Sequence, residues 1–358
     1  MQSTADALAE RLFGATLGAY EVLTVYLGDR LGMYRTLADL GAATPAEVAE
    51  ASGTHERYAR EWLEQQAVAG ILEVEDATAA AEERRYSIPA GHEKVLLDQE
   101  SLSYLVPLAR YAVSFASALP AVGEAFRTGG GVEWTVYGRD GLEAQEGANR
   151  PVFHHLLGSE WLPAVPDAHG RLQADPPATV ADVACGAGWS SIAIARAYPK
   201  VVVDGFDVDE PSVELARRNA AAAGLDDRVR FHLRDAGDPE LQGRYDLVTV
   251  FEAVHDMSRP VEVLRAVLSL AGEEGTVLVM DEKVADAFTA PGDEVERLMY
   301  TYSVLCCLPV GMAEQPSAAT GTVMRTDTVR RYAREAGFAD VEVLPIEHEV
   351  FRFYRLRQ

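Results

Sequence analysis

The sequence predicts an α/β protein, with a largely parallel sheet in the C-terminal half and a mostly helical N-terminal half. Three observations carry that expectation. From Thr179 onward, short apolar strands alternate with helical stretches, which is the pattern of βαβ units. The first of those strands runs into a glycine-containing turn that opens directly into a helix. The chain has 358 residues, too many for one typical core, so two domains are expected.

Composition narrows the function classes. With 48% hydrophobic and 25% charged residues the chain is globular. Its formal charge, 32 − 56 = −24, comes without a dense Lys/Arg cluster, which argues against a nucleic-acid partner held through phosphates. Cys185, Cys306 and Cys307 are too few and wrongly spaced for a disulfide framework or a zinc site. The adjacent pair reads as small buried apolar residues. An acid stands at Asp6 and no long apolar run follows, so neither a signal peptide nor a membrane span is expected, and the compartment expected is the cytosol.

Along the N-terminal half, Thr44-Pro45-Ala46-Glu47 has the pattern of a helix start, and Gly53 of its stop. A second helix is expected from Thr54 to about Gly70, with Tyr58, Trp62 and Leu63 on one face. Ile71–Val74 and Arg85–Ile88 read as a strand and its return partner. Two helices and a hairpin in this order predict a winged-helix module. Its second helix mixes Arg57 and Arg60 with Glu56, Glu61 and Glu64, so packing or dimerisation explains it better than DNA contact. The apolar stretch Leu12-Phe13, Leu17, Val22-Leu23 and Val25–Leu27 supports a homodimer. From 92 to 172 the chain reads as helical, broken at Gly129–Gly131 and at the turn-rich Tyr137–Gly141. Strands are then expected near 179–184, 201–207, 228–234, 245–251, 275–281, 341–345 and 349–356.

The informative segment is Val180–Ser191, with Asp182, Gly186 and Gly188 in it. Glycines there let the backbone approach a ligand, and the following helix points free N–H groups at it. A dinucleotide fingerprint needs a third glycine where Ser191 stands. The order acid-x-x-x-Gly-x-Gly instead resembles the first motif of class I S-adenosylmethionine-dependent methyltransferases, with Ala184 in place of that motif's first glycine. The second strand ends in Asp207, the third is followed by Asp235-Ala236, and the fourth is Tyr245–Phe251. All these acids sit where open α/β sheets bind ligands. The resemblance implies S-adenosyl-L-methionine as cofactor, held by Asp182, Gly186, Gly188, Asp207, Val208, Asp235, Ala236 and Phe251. It also implies a Rossmann-like seven-stranded methyltransferase sheet.

The layout is similar to plant phenolic O-methyltransferases and their bacterial relatives. On that likeness, residues 1–95 form a winged-helix and dimerisation domain, 96–172 a helical connector and lid, and 173–358 the cofactor-binding domain. Plant members have His-Asp-Trp where this chain has His255-Asp256-Met257, and that His takes the acceptor's proton. The family's two flanking acids fall on Asp281 and near Met324, where no acid stands. His255 therefore reads either as the general base, with Asp281, or as a residue that shapes the site. Trp134, Tyr137, His154, His155 and Trp161 are further candidates for the acceptor pocket, with core packing the blander reading; no metal site is expected. The function expected is methylation of a small aromatic or polyketide-like hydroxyl. N- or C-methylation, or a methyltransferase-like enzyme with a non-methylating reaction, are the alternatives.

Overall fold

The computed structural model describes residues 4–238, 241 and 244–358. The chain divides into two compact units: Met1–Ala116 with Arg139–Pro151, and Ser117–Gly138 with Val152–Gln358. Residues 96–172, expected as one connector, are shared between the two.

In the first unit, helices α1 (Thr4–Arg30), α2 (Met33–Leu40), α3 (Pro45–Ser52) and α4 (Glu56–Val68) precede a hairpin of β1 (Glu73–Val74) and β2 (Tyr86–Ser87). The start of α3 is a full capping box: Glu47 N–H donates to Thr44 Oγ1 at 3.4 Å, and Thr44 N–H to Glu47 Oε2 at 2.8 Å. Gly53, at φ 68°, ends that helix. His55 caps α4, its Nδ1 accepting from Arg57 N–H at 3.2 Å. Trp62 and Leu63 are buried, but Tyr58 is 78% exposed. One turn nearer the helix start, Tyr58 meets the His55 ring edge to face.

Helix α1 is anchored where Trp62 Nε1 donates to the Thr24 carbonyl at 2.9 Å, yet Leu8, Leu12, Phe13, Leu17 and Tyr20 are all exposed. After α5 (Glu93–Leu96) and α6 (Val106–Thr128), helix α7 (Gly138–Val152) runs straight through the stretch that reads as a turn. Asp140 in its first turn suits the helix dipole and is paired with Arg30, so its environment outweighs the turn propensity of Gly138 and Gly141.

The second unit holds α8 (Pro166–Gln173), β3 (Thr179–Val183), α9 (Trp189–Ala197), β4 (Val202–Asp207), α10 (Glu210–Ala222), β5 (Val229–Leu233) and β6 (Leu247–Phe251). It continues with α11 (Pro260–Ala271), β7 (Thr276–Glu282), α12 (Glu294–Tyr302), α13 (Leu308–Gly311), α14 (Thr326–Ala336), β8 (Asp340–Val343) and β9 (Phe351–Arg357). Every strand expected from Thr179 onward forms. Among the described residues they make one seven-stranded sheet in the order β5-β4-β3-β6-β7-β9-β8. Pairings from β5 to β7 are parallel, while β9 runs antiparallel between β7 and β8.

Burial on both faces explains why strands such as Leu247–Phe251 read as continuous apolar runs. One face packs on Ile192, Ile194, Leu157 and Trp161, the other on Leu264, Val267, Val329 and Tyr332. Strand order turns outward in opposite directions from β3 and β6, so their C-terminal ends form the crevice in which such sheets hold ligands. Two helical stretches are π-wound, Phe153–Trp161 and Ser303–Cys307. Among the described residues no helix is long and apolar enough to cross a membrane.

Candidate active site

The turn after β3 is built by positive-φ residues: Ala184 at 56°, Gly186 at 51° and Gly188 at 81°. Gly188 is required twice over, because a Cβ there would stand 2.4 Å from the Phe231 ring as well as in the left-handed region. Around Gly186 the space is open; a Cβ would meet nothing within 4 Å. The turn is tied down by Asp207 at the end of β4, whose Oδ2 accepts the Gly186 N–H at 2.8 Å and whose Oδ1 accepts Asp209 N–H at 2.9 Å. Each carboxylate oxygen keeps further acceptor capacity. Burial pushes the Asp207 carboxyl above its usual range, and the backbone donors of Asp209, Gly186 and Val208 oppose that.

Asp182 has a different surrounding. It is almost fully buried, with Ser190 and Ser191 hydroxyls on Oδ2 at 2.5 and 2.6 Å and the Thr249 hydroxyl on Oδ1 at 2.8 Å. Its two oxygens thus stitch the start of α9 to β3 and β6. Val208 is exposed and Ala236 buried, while exposed Asp235 accepts Gly237 N–H at 2.7 Å. Phe251 lies in the core, stacked on Phe153 at 5.8 Å. Asp182, Gly186, Gly188 and Asp207 are therefore one connected structure around the turn. Val208 adds a backbone hydrogen bond to Asp207, whereas Asp235 bonds Gly237 and Phe251 stacks on Phe153 instead.

Beyond β6, a short 3-10 turn (Val254–Asp256) carries His255. The next stretch is held in place by Ser258 Oγ, which donates to the Gly311 carbonyl at 2.8 Å. His255 is 3% exposed and its Nδ1 lies 2.9 Å from Asp281 Oδ1, which makes the Asp281 carboxylate the partner that orients the ring. Glu282 Oε2 stands 3.0 Å from the same nitrogen. One N–H has one axis, directed at Asp281, so Glu282 acts by charge; neither its Oε2 nor Asp281 Oδ2 has a hydrogen-bonding partner.

Burial alone would lower the His255 pKa, but the charges of Glu282 and then Asp281 reverse that and hold it well above 6.5. For Glu282, burial is outweighed by the facing His255, and its carboxyl is held below the usual range. Asp281 moves the other way, pushed up by burial. Next in sequence, Asp256 is raised by burial to about 7.

Glu282 escapes sequence reasoning because consecutive strand residues point to opposite faces, which leaves room for only one of Asp281 and Glu282 beside the ring. Glu282 is the last residue of β7, paired with Phe351, and its side chain nevertheless brings Oε2 to the ring. A second unforeseen neighbour is Cys307, whose thiol is hydrogen-bonded to Cys306 and to His255; those two contacts hold it below its usual pKa. Cys306 is buried as expected, but Cys307 is only partly buried and faces a titratable group, so it is not a mere apolar filler. The π-wound Ser303–Cys307 stretch sets that aim, and Tyr137 pins it by donating to the Leu305 carbonyl at 2.8 Å.

Of the other pocket candidates, Trp161 and Tyr137 are core residues, and Trp134 stacks on Tyr137 at 5.7 Å. His154 and His155 read as pointing apart on an α-helix, yet their rings meet edge to face at 4.8 Å. The wider π-winding of Phe153–Trp161 changes their angular spacing.

Comparison with known proteins bears on the same segments. Residues 174–337 match the family described as Methyltransferase domain, and residues 19–97 match the Rv2258c-like winged HTH domain. Ajmaline N-methyltransferase of Rauvolfia serpentina is 28% identical over 105 residues, which is 29% of this chain and 36% of that protein. The chain spans 22% to 36% of the length of the first curated relatives it matches. Among solved structures, the mitomycin 7-O-methyltransferase MmcR superposes with a TM-score of 0.70 at 20% identity, over 100% of both chains. Human N-acetylserotonin methyltransferase, solved with S-adenosylmethionine, gives 0.72 at 18% identity, over 100% of this chain and 99% of its own.

Proposed function

Because this chain is, in fold and domain family, a methyltransferase of the S-adenosylmethionine-dependent class with a winged-helix N-terminal domain, we propose that it methylates a hydroxyl on a small aromatic or polyketide-like molecule. His255 is the general base of that reading. The observation that carries it is the 2.9 Å contact of His255 Nδ1 with Asp281 Oδ1, just past the C-terminal end of β6. With Nδ1 committed to Asp281, Nε2 is the nitrogen to receive the acceptor's proton, on a ring to which the Cys307 thiol is also hydrogen-bonded.

The residues fit the cofactor. Gly186 leaves open backbone where a ligand can approach, α9 begins directly after that turn, and Asp207 offers a carboxylate for two hydroxyls. Asp235 and Ala236 are assigned to the adenine end, with Val208 and Phe251 flanking. When bound, S-adenosylmethionine supplies an electrophilic methyl on a sulfonium. The chain's own part is to orient the acceptor and to remove its proton at His255 Nε2. Glu282 and Asp281 stabilise the imidazolium that results.

Residues 1–95 are read as the winged-helix and dimerisation domain, 96–172 as the connector and 173–358 as the cofactor-binding domain. The exposed apolar residues of α1 support a homodimer, since patches of this kind mark interaction surfaces. A charge of −24 supports a small-molecule acceptor over nucleic acid, and the cytosol is the compartment proposed. The test is the product's mass after incubation with S-adenosylmethionine and a panel of phenols, naphthols and arylamines. A gain of one CH2 on hydroxyl acceptors that disappears in His255→Ala supports the reading. Transfer only to nitrogen or carbon, at a rate His255→Ala does not change, would replace it.

A further inference from the structure

Two carboxylates and an imidazole converge at the end of β7. His255 Nδ1, Asp281 and Glu282 place one donor atom each within 4.8 Å of one another, all three buried. Asp281 Oδ2 and Glu282 Oε2 are buried without a hydrogen-bonding partner. A buried acceptor in that state is costly. A divalent cation on a neutral imidazole and two carboxylates brings the group to zero charge and gives the unpartnered oxygens a ligand.

We propose that His255 Nδ1, Asp281 and Glu282 form a binding site for a zinc-class divalent transition-metal ion. The donor set, one imidazole and two carboxylates, suits zinc or cobalt better than magnesium, which keeps its waters and prefers an all-oxygen shell. Metal–ligand bonds of about 2.0–2.1 Å at a tetrahedral ion set donors about 3.4 Å apart. The observed 2.9 and 3.0 Å must therefore open by only about 0.4 Å. Asp281 and Glu282 are fixed by pairing of β7 with Arg352 and Phe351 of β9, so the cradle is rigid on the acidic side.

Metal on Nδ1 displaces the proton there and leaves the remaining ring proton on Nε2, which then donates and cannot accept. The ion is accordingly an inhibitor of transfer. That consequence rests on His255 being the base, whereas the binding does not.

The experiment is calorimetric titration of the EDTA-treated full chain with Zn2+ and, for its spectrum, Co2+. Wild type, Glu282→Gln, His255→Ala and Cys307→Ser are compared, each first shown to be folded by its melting curve. One ion per chain is expected, weakened at least about tenfold in Glu282→Gln and His255→Ala. Cys307→Ser should be unaffected, and no thiolate-to-cobalt charge-transfer band should appear. No binding at millimolar metal, binding undiminished in the first two variants, or a thiolate band lost in Cys307→Ser would each overturn the site. Transfer assays on the same samples separate the two readings: binding without inhibition keeps the metal site and removes His255 as base.

Discussion

Glu282 Oε2 lies 3.0 Å from His255 Nδ1, the nitrogen that donates to Asp281 Oδ1 at 2.9 Å, so two acids from consecutive residues serve one ring atom. The resemblance to plant O-methyltransferases puts the second flanking acid near Met324, and Met324 is a buried core residue. Glu282 supplies the negative charge from another direction.

That arrangement has a signed consequence for pH. The two acids hold the His255 pKa well above 6.5, so the unprotonated base gains population only at higher pH, and the acid limb of kcat against pH should lie above 6.5. Glu282→Gln removes one stabilising charge, lowers that pKa and should move the limb down by about one unit or more. An unmoved limb in the variant would separate Glu282 from catalysis.

His255→Ala should lower kcat by roughly 10²–10⁴-fold, the usual contribution of a positioned base, while the affinity for S-adenosylmethionine stays within a factor of about three. Single-turnover rates at saturating cofactor measure the first and calorimetry the second. Full rate in the variant would leave His255 as a site-shaping residue only.

Asp207 should prove necessary for the cofactor. Its side chain holds Gly186 and Asp209 N–H groups and is also the proposed ribose acceptor. Asp207→Ala is expected to weaken S-adenosylmethionine and S-adenosylhomocysteine at least about tenfold, which is what losing a charged hydrogen bond of about 1.4 kcal/mol or more would do. Equal affinity in calorimetry would move the cofactor away from β4.

For Asp182 the expected defect is stability. Alanine there leaves the Ser190, Ser191 and Thr249 hydroxyls without their common acceptor, and the loss should be about 2–4 kcal/mol in urea unfolding of the full chain. A variant as stable as wild type with poor cofactor affinity would instead give Asp182 a direct binding role.

Helix α1 exposes Leu12, Phe13 and Leu17 on successive turns, and covering them is the proposed role of a second copy. Light scattering at micromolar concentration should give twice the chain mass, and Phe13→Glu with Leu17→Glu should give the monomer. A monomeric wild type would end the dimer proposal.

Much of the fold was legible because the signals are local. Alternating apolar strands and helices declare βαβ units, and parallel connectivity brings strand C-termini to one edge, which is why Gly186, Gly188 and Asp207 assemble as their positions imply. Thr44 and Glu47 form their capping box because a cap involves only four residues. The start of α7 was not legible, since Asp140 is settled by Arg30, distant in sequence.

By itself, then, the sequence determined the seven strands, the glycine turn and the acids at strand ends, because each follows from spacing within one segment. Tertiary structure alone decided what surrounds His255. Glu282 reaches it from the last ladder position of β7, and Cys307 by riding on a π-wound turn. It also committed Asp182 to three hydroxyls from two other elements. Such meetings depend on how elements pack in three dimensions, which no local pattern encodes.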